Sequence, residues 1–195
     1  MDDRYVVSPW VTGPAPDKAV GRALVLPGAG YTVDHPALYW ACQVLVQVGW
    51  RVVTMRWRAD HVSSAERRTF VETAADLLDT EAGDNHQTLV LAKSLGSYAA
   101  GWASARRYPA VWLTPVMTDD FVARSLQAYA APSLLIGGTA DPMWSTPGST
   151  PPGQRVVELP GVDHGLSRRA DWHGSIDALG QSLAAIEDFA RTNFA

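Results

Sequence analysis

Three residues whose types can support nucleophilic catalysis each stand just beyond a short apolar run of the chain. They are Ser94, Asp141 and His164, in that order. A serine hydroxyl is a weak nucleophile at neutral pH and needs a base to take its proton. An imidazole serves as that base when a carboxylate holds it in the correct tautomer. The order serine, aspartate, histidine therefore predicts acyl chemistry, with Ser94 as nucleophile, His164 as base and Asp141 as the acid that orients it.

The serine lies in the segment AKSLG, residues 92–96, which predicts a sharp turn between a strand and a helix. A nucleophile on such a turn needs small neighbours, and Ala92 and Gly96 supply them. The pattern also arises by chance, because serine is a good helix N-cap. Taken alone, the segment leaves open whether Ser94 is a nucleophile or a cap.

Other acids and histidines compete for these roles. Asp163 stands beside His164, but adjacent side chains usually point apart, so Asp141 is preferred. Asp119 and Asp120 follow another apolar run and are a second alternative for the acid. A turn cap at Asp141 and a surface position for His164 are the simpler interpretations of each residue alone. The remaining histidines lack a matching strand end and have no metal-ligand spacing, so they are predicted to be surface or supporting groups and no metal is predicted: His35, His61, His86 and His173.

The elements that must position these residues follow from the apolar runs. The runs are rich in leucine and β-branched residues without alternation, which is typical of strands buried on both faces of a parallel sheet. They cover residues 23–26, 52–55, 88–92, 110–113, 133–137 and 155–159, and residues 5–7 are predicted to add an antiparallel edge strand. In such a sheet, reactive groups lie just beyond the carboxyl ends of the strands.

Helical patterns fill the intervals between the runs. A helix is predicted from Pro36 to Gly49, and Ser63 with Glu66 has the spacing of a capping box that starts an amphipathic helix. Near the C-terminus an apolar face is predicted from residues at spacings of three and four: Ile176, Leu179, Leu183, Ile186 and Ala190. Alternating strands and helices predict an α/β fold with a doubly wound, mainly parallel sheet and helices on both faces.

Composition limits the possible functions. The 195 residues are 47% hydrophobic and 18% charged, which predicts one globular domain over residues 1–195. The net charge of −4 gives no general attraction to nucleic acid or to an anionic membrane. Cys42 is the single cysteine, which excludes an intramolecular disulfide and fits a reducing compartment. With no apolar stretch near the roughly 18 residues that span a bilayer, a cytoplasmic location is expected.

Four motifs in this order resemble the α/β-hydrolase superfamily: PGAGYT, AKSLGS, GTADPMW and VDHGL. The resemblance runs from about residue 20 to the C-terminus and is strongest to small bacterial serine hydrolases of the dienelactone-hydrolase-like group. It implies hydrolysis of an ester, thioester or related acyl bond through an acyl-enzyme, without a cofactor. Pro27 stands where many members have histidine, and Ala92 replaces the first glycine of the turn. Dienelactone hydrolases use a cysteine nucleophile, whereas here Cys42 lies in a predicted helix.

The resemblance also implies an oxyanion hole at the loop PGAGYT. Its donors would be the backbone N–H groups of Leu95 and Ala29, while Gly28 and Gly30 let the backbone approach the reacting carbon. Tyr31 is expected either to contribute a third contact or to form a wall of the pocket.

Many relatives insert a cap domain after the strand that precedes the acid strand, but only residues 115–132 are available here. The sequence therefore predicts a lidless enzyme with an open site for a small-molecule acyl substrate. Met117, Phe121, Met143 and Trp144 are expected on the surrounding loops, with ordinary core packing as the alternative. Together with Gly30 and Tyr31, Met117 and Trp144 are the predicted substrate contacts.

The sequence predicts a carboxylesterase, and three other functions compete with this prediction. Gly28-Ala29-Gly30 begins like a dinucleotide-binding loop, but Val33 occupies the third glycine position and no acidic residue follows residues 52–55 for a ribose. A non-catalytic binding protein of the same fold is the second alternative, and acyl transfer to an acceptor other than water would use the same three residues.

Overall fold

The computed structural model describes residues 4–11, 13–83, 87–148 and 150–193. Seven strands form one sheet in this part of the chain: β1 (Tyr5–Pro9), β2 (Arg22–Leu26), β3 (Arg51–Trp57), β4 (Thr88–Lys93), β5 (Ala110–Leu113), β6 (Ser133–Gly138) and β7 (Gln154–Leu159). Their spatial order is β1-β3-β2-β4-β5-β6-β7. All neighbouring pairs are parallel except β1 with β3, which is antiparallel as predicted.

The apolar runs form the central strands because both faces of the sheet are covered. Successive residues of β4 show this, since Leu89 and Leu91 join the core on one face while Val90 and Ala92 join the core on the other. The helices are α1 (Pro36–Gln47), α2 (Arg67–Glu81), α3 (Ala100–Ala105), α4 (Asp120–Gln127) and α5 (Trp172–Thr192), with short 3-10 helices at Pro16–Lys18 and Ser94–Ala99. The first core contains α2, α3 and α4, whereas α1 and α5 pack on the opposite face with Cys42 buried among them. The doubly wound arrangement is therefore confirmed.

Helix α2 begins later than its capping-box pattern predicts. The Ser63 N–H donates to the Glu66 carboxylate, as a capping box requires. The other half of the box is missing, because the Ser63 hydroxyl also donates to this carboxylate and the Glu66 N–H donates to the Ser63 carbonyl. Residues 64–66 nevertheless form a turn, and the helix begins at Arg67 with Glu66 in the N-cap position. The contact between Ser63 and Glu66 therefore stabilises the turn that precedes α2, and it does not cap the first turn of the helix.

The apolar face predicted for α5 is wrong at its start, because Ile176 is 60% exposed. The buried face there consists of Gly174, Ala178 and Ser182, and it continues through Ile186. Small side chains face the sheet in this half of the helix, and spacing judged from the larger apolar residues does not detect them.

The connection from β5 to β6 comprises residues 114–132 and contains α4, with no inserted domain. In the described part of the chain, no cap therefore stands between β5 and β6, as the sequence predicted. Among the residues described, no helix is both long enough and apolar enough to cross a membrane.

Candidate active site

Ser94 lies at the carboxyl end of β4 in a strained backbone conformation. Its φ is 50°, in the left-handed region that residues other than glycine seldom adopt. The 3-10 helix begins at Ser94, and Lys93 occupies its N-cap position without a side-chain cap. Behind the turn, a Cβ on Gly96 would lie 2.8 Å from the carbonyl oxygen of Leu26. Glycine at position 96 therefore lets the turn sit against the end of β2, which presents the serine hydroxyl beyond the sheet.

A continuous chain of hydrogen bonds joins the three residues singled out in the sequence. Ser94 Oγ lies 2.8 Å from Nε2 of His164, and Nδ1 of His164 lies 2.8 Å from Oδ2 of Asp141. The Asp141 side chain is fully buried, whereas that of His164 is 29% exposed. The second oxygen of Asp141 accepts a hydrogen bond from the Met143 N–H at 2.8 Å. Since an ionised carboxylate only accepts, this geometry places the proton of His164 on Nδ1 and leaves Nε2 to accept from Ser94.

Neighbouring strands bring these residues to one edge of the sheet. Asp141 follows β6 by three residues and His164 follows β7 by five, and β6 pairs with β7. The loop that carries His164 is folded around Asp163, whose Oδ1 accepts from the backbone N–H groups of Gly165 and Ser167 at 2.8 and 3.1 Å. These hydrogen bonds stabilise the conformation of the loop that carries His164.

The competing acids have other partners. Asp163 holds the loop of His164, as described above. Asp119 is the N-cap of α4, where it accepts from the Phe121 N–H at 2.9 Å, and its other oxygen accepts from the hydroxyl of Tyr98 at 2.7 Å. Asp120 is exposed and lies 3.7 Å from Arg124. Of these carboxylates, Asp141 is the one bonded to the imidazole.

The loop predicted to supply an oxyanion donor lies against Ser94. A Cβ on Gly28 would come within 3.4 Å of Ser94 Cβ and 3.1 Å of Tyr31 Cβ. The Gly28 N–H donates to the carbonyl of Tyr31 at 2.9 Å, and the Gly28 carbonyl accepts from the indole of Trp57 at 2.9 Å. Ala29 and Gly30 are the exposed tip of this turn, so they border the solvent beside the serine.

The second predicted donor, the N–H of Leu95, directly follows Ser94 in the first turn of the 3-10 helix. Backbone N–H groups in the first turn of a helix have no acceptor within that helix. Leu95 itself is 6% exposed, so its side chain anchors the turn in the core.

Tyr31 lies between Lys93, which precedes Ser94, and the start of α1. Its hydroxyl accepts a hydrogen bond from the Ala37 N–H at 3.0 Å, at the start of α1. Its ring lies 4.3 Å from the Lys93 ammonium and 4.6 Å from the ring of His35. Burial raises the pKa of the Tyr31 phenol. The hydroxyl is thus engaged with α1, which favours the wall over the third oxyanion contact.

Trp144, a predicted substrate contact, packs against β6 and β7. A Cβ on Gly137 would lie 2.1 Å from Trp144 Cδ2, so the indole covers β6 where a side chain is missing. Its Nε1 donates to Glu158 of β7 at 2.8 Å.

The other apolar residues expected near the site lie in three different places. Met117 lines a cavity of about 160 Å³ beside α4 and residues 145–148, and its N–H donates to the carbonyl of Met143 at 2.9 Å. Phe121 belongs to α4, where the Arg68 guanidinium lies 4.3 Å from its ring. Met143, beside Asp141, is 39% exposed and remains on the rim.

The remaining histidines differ in their surroundings. His35 precedes α1 and its Nδ1 accepts from the Thr32 N–H at 3.1 Å. His173 stacks on Trp172 with ring centroids 3.5 Å apart. His61 lines a groove next to β1 and α2, and His86 lies outside the described residues.

Lys93 is a buried cation at this site that the sequence analysis missed. It precedes Ser94, is 1% exposed, and donates to the hydroxyl of Thr114 at 2.8 Å and to the carbonyl of His164 at 2.7 Å. Burial lowers its pKa to about 8, although the negative charges of Asp141 and Asp163 act in the opposite direction. The sequence did contain a signal for its burial, because Lys93 ends the apolar run TLVLAK, whose side chains are expected to be buried. Lysine is seldom buried without partners, so a buried Lys93 implies hydrogen-bond acceptors nearby.

Comparison of the folded chain with solved structures identifies its architecture. Est1E from Butyrivibrio proteoclasticus with bound ferulic acid is 12% identical, with a TM-score of 0.69 over 97% of this chain and 95% of that one. The esterase domain of a Rhodothermus marinus protein is 13% identical, with a TM-score of 0.65 over 96% and 99% of the two chains. The protein has the α/β-hydrolase fold.

A third similar structure also lacks a cap. It is a Xanthomonas campestris α/β serine hydrolase without a lid, 18% identical, with a TM-score of 0.60 over 98% of this chain and 95% of that one. No protein-family model matches the sequence, and no curated protein is significantly similar to it. The α/β-hydrolase fold predicted from the four motifs is thus confirmed through structure at low sequence identity.

Proposed function

We propose that the protein is a serine hydrolase that cleaves an ester, thioester or related acyl bond through an acyl-enzyme. The observation that carries the proposal is the hydrogen-bonded chain from the strained Ser94 through His164 to the buried Asp141. This chain contains a nucleophile, a base within reach of its proton and an acid that orients the base.

The acylation step follows from the atoms in contact. Ser94 Oγ attacks the acyl carbon while Nε2 of His164 takes the hydroxyl proton, and Asp141 stabilises the imidazolium that forms. When the tetrahedral intermediate collapses, the bond to the leaving group breaks and Nε2 returns the proton to it. The products are an ester of Ser94 and a free alcohol or thiol.

Deacylation repeats this sequence with water as the nucleophile. Nε2 of His164 removes a proton from water as its oxygen attacks the acyl carbon, and then returns the proton to Ser94 as the acid departs. In both steps the N–H groups of Ala29 and Leu95 would stabilise the oxyanion, since Leu95 directly follows Ser94 and Ala29 follows Gly28, which lies against Ser94. The reaction as written uses only side chains, backbone N–H groups and water.

The surroundings of Ser94 favour small or exposed acyl groups. In the described part of the chain no cap stands between β5 and β6, Gly30 is exposed at the edge of the site, and Tyr31 would form a wall. Two structures of the same fold are described as esterases or as binding ferulic acid, which supports carboxylic esters as the first substrates to test. The indole of Trp144 covers β6 and Met117 lines a cavity beside α4. Both remain predicted substrate contacts.

Covalent labelling with a fluorophosphonate tests the proposal directly. An activated serine forms a stable adduct with this probe, and peptide mass spectrometry shows which residue carries it. We expect one adduct on Ser94, its loss in Ser94→Ala, and full labelling in Ser145→Ala, whose serine is exposed on the loop after Asp141. A folded wild-type protein that takes up no label would contradict the proposal. Product analysis with competing alcohols or amines then separates hydrolysis from acyl transfer.

A further inference from the structure

Lys93 is almost fully buried, although an ammonium loses strong hydration when it leaves water. It lies at the end of β4, directly before Ser94. Its contacts belong to three other segments: the Thr114 hydroxyl after β5, the His164 carbonyl after β7, and the ring of Tyr31 after β2. One side chain thus connects the elements that carry the serine, the base and Tyr31.

Thr114, which accepts from Lys93, has a strained backbone conformation. Its φ is 40°, which is rare for a β-branched residue, and its N–H donates to the Ile136 carbonyl of β6 at 2.7 Å. Backbone strain of this kind clusters at functional sites. Positive φ values are found at Ser94, at Thr114 and at Leu166, which lies in the loop that carries His164. Three of the five positive-φ residues other than glycine in the described chain thus lie at or near the contacts of Lys93; the other two are Arg107 and Ala170.

Stability does not explain a buried ammonium at this position. Apolar replacements of buried charged groups are often neutral or stabilising, because the desolvation cost disappears with the charge. The carboxylates of Asp141 and Asp163 act on this ammonium electrostatically, but its hydrogen bonds go to a hydroxyl and a carbonyl. The second of these fixes the main chain of the residue whose imidazole contacts Ser94.

We propose that Lys93 is a positioning residue that fixes His164 through its main-chain carbonyl and so keeps Nε2 within hydrogen-bonding distance of Ser94 Oγ. The proposal rests on the proposed hydrolase function, since it assigns Lys93 to the same reaction. The lysine touches neither the reacting atoms nor the imidazole ring in this role. Its loss should lower the rate of the chemical step and leave substrate binding nearly unchanged.

The test compares wild type with Lys93→Met, which removes the charge and the donors but keeps a long unbranched side chain. Hydrolysis of p-nitrophenyl acetate and fluorophosphonate labelling rates are measured on protein shown to be folded by circular dichroism. We expect kcat and the labelling rate to fall about 10- to 100-fold while KM changes less than about threefold, because misplacement of a catalytic group affects the chemical step. Unchanged kcat, or a loss that merely follows the folded fraction, would overturn the proposal.

Thr114 provides a matched pair for the same contact. Thr114→Val keeps the β-branched shape and loses the hydroxyl, whereas Thr114→Ser keeps the hydroxyl. We expect a several-fold lower kcat for the valine variant and near wild-type kcat for the serine variant. Equal rates in both variants would overturn the proposal, and this pair decides the question if Lys93→Met does not fold.

A measurement independent of turnover separates this proposal from the proposed function. The proton on Nδ1 of His164, held by Asp141, gives a downfield signal in proton NMR, and its exchange with solvent reports how firmly the ring is held. We expect faster exchange in Lys93→Met than in wild type, and equal exchange would overturn the positioning role. Wild-type protein that shows the signal but takes up no label would contradict the hydrolase function instead.

Discussion

Nδ1 of His164 lies 2.8 Å from Oδ2 of Asp141, a carboxylate whose side chain is fully excluded from solvent. The other carboxylate oxygen is fixed by the Met143 N–H, so the group cannot rotate without losing a hydrogen bond. This pairing separates Asp141 from the three acids that compete with it in the sequence. Asp163 bonds its own loop, Asp119 caps α4, and Asp120 is exposed beside Arg124.

Asp141→Asn should therefore lower kcat about 10³- to 10⁴-fold with little change in fold, because an amide can stabilise the wrong imidazole tautomer and cannot balance the imidazolium charge. Asp163→Asn and Asp119→Asn are the matched controls. Each retains an oxygen acceptor for the backbone, so we expect less than about a tenfold loss. Steady-state ester hydrolysis by the three variants checks this, and a larger loss in either control would assign the acid differently.

Ser94→Ala and His164→Ala should each lower kcat by roughly 10⁴ to 10⁶, and the double variant should be hardly worse than either single one. The reason is that the two residues act as a unit, so removing one eliminates the contribution of both. Initial rates are measured at saturating ester, with unfolding curves to verify the fold. A loss of kcat below about tenfold in either folded variant would contradict the assignment of Ser94 as nucleophile and His164 as base.

The sequence predicted most of the fold and the three residues that the structure joins by hydrogen bonds, because both leave local signals. Buried parallel strands require uninterrupted apolar runs, and Ser94, Asp141 and His164 each follow such a run. Lys93 was missed because nothing local shows that its partners, Thr114 and His164, come from strands distant in the sequence. The wrong prediction that Ile176 is buried has a related cause. The packing of α5 against the rest of the fold decides which face of the helix is buried, and this packing is not visible in the local sequence.

Because Gly96 lies so close to β2, we expect the addition of one methyl group at this position to lower both stability and activity. A Cβ at position 96 would lie 2.8 Å from the Leu26 carbonyl oxygen and 3.0 Å from that of Pro27, so backbone must move. We expect Gly96→Ala to lower the free energy of unfolding by about 1–3 kcal/mol, and kcat by about 10- to 100-fold through displacement of Ser94.

Gly180→Ala is the control for a methyl group in open space. Gly180 is exposed in α5, and nothing lies within 4 Å of an added Cβ. Alanine there should raise the free energy of unfolding by about 0.5–1 kcal/mol, because glycine weakens a helix interior, and should leave kcat unchanged. Urea unfolding and ester hydrolysis check both variants, and equal stability of the two proteins would refute the steric explanation.

Burial of Lys93 predicts an unusual dependence of stability on alkaline pH. Its pKa is lowered from 10.5 to about 8 in the folded protein. Below pH 8 the lysine is protonated in both states and its desolvation penalty is fully present. Between pH 8 and pH 10.5 the unfolded chain binds more protons than the folded one, so the free energy of unfolding rises with pH. Because one pKa unit corresponds to about 1.4 kcal/mol, the whole gain is about 3 kcal/mol.

Urea unfolding of wild type and Lys93→Met at about pH 7.5 and pH 10 measures this gain as a difference between the two proteins. The comparison is needed because Cys42 acts in the opposite direction. Burial raises the pKa of its thiol to about 12, so its stabilising contribution falls as the pH rises above 9. That contribution is common to both proteins and cancels. We expect wild type to gain stability relative to Lys93→Met as the pH rises, and a constant difference would show that Lys93 keeps an ordinary pKa in the folded protein.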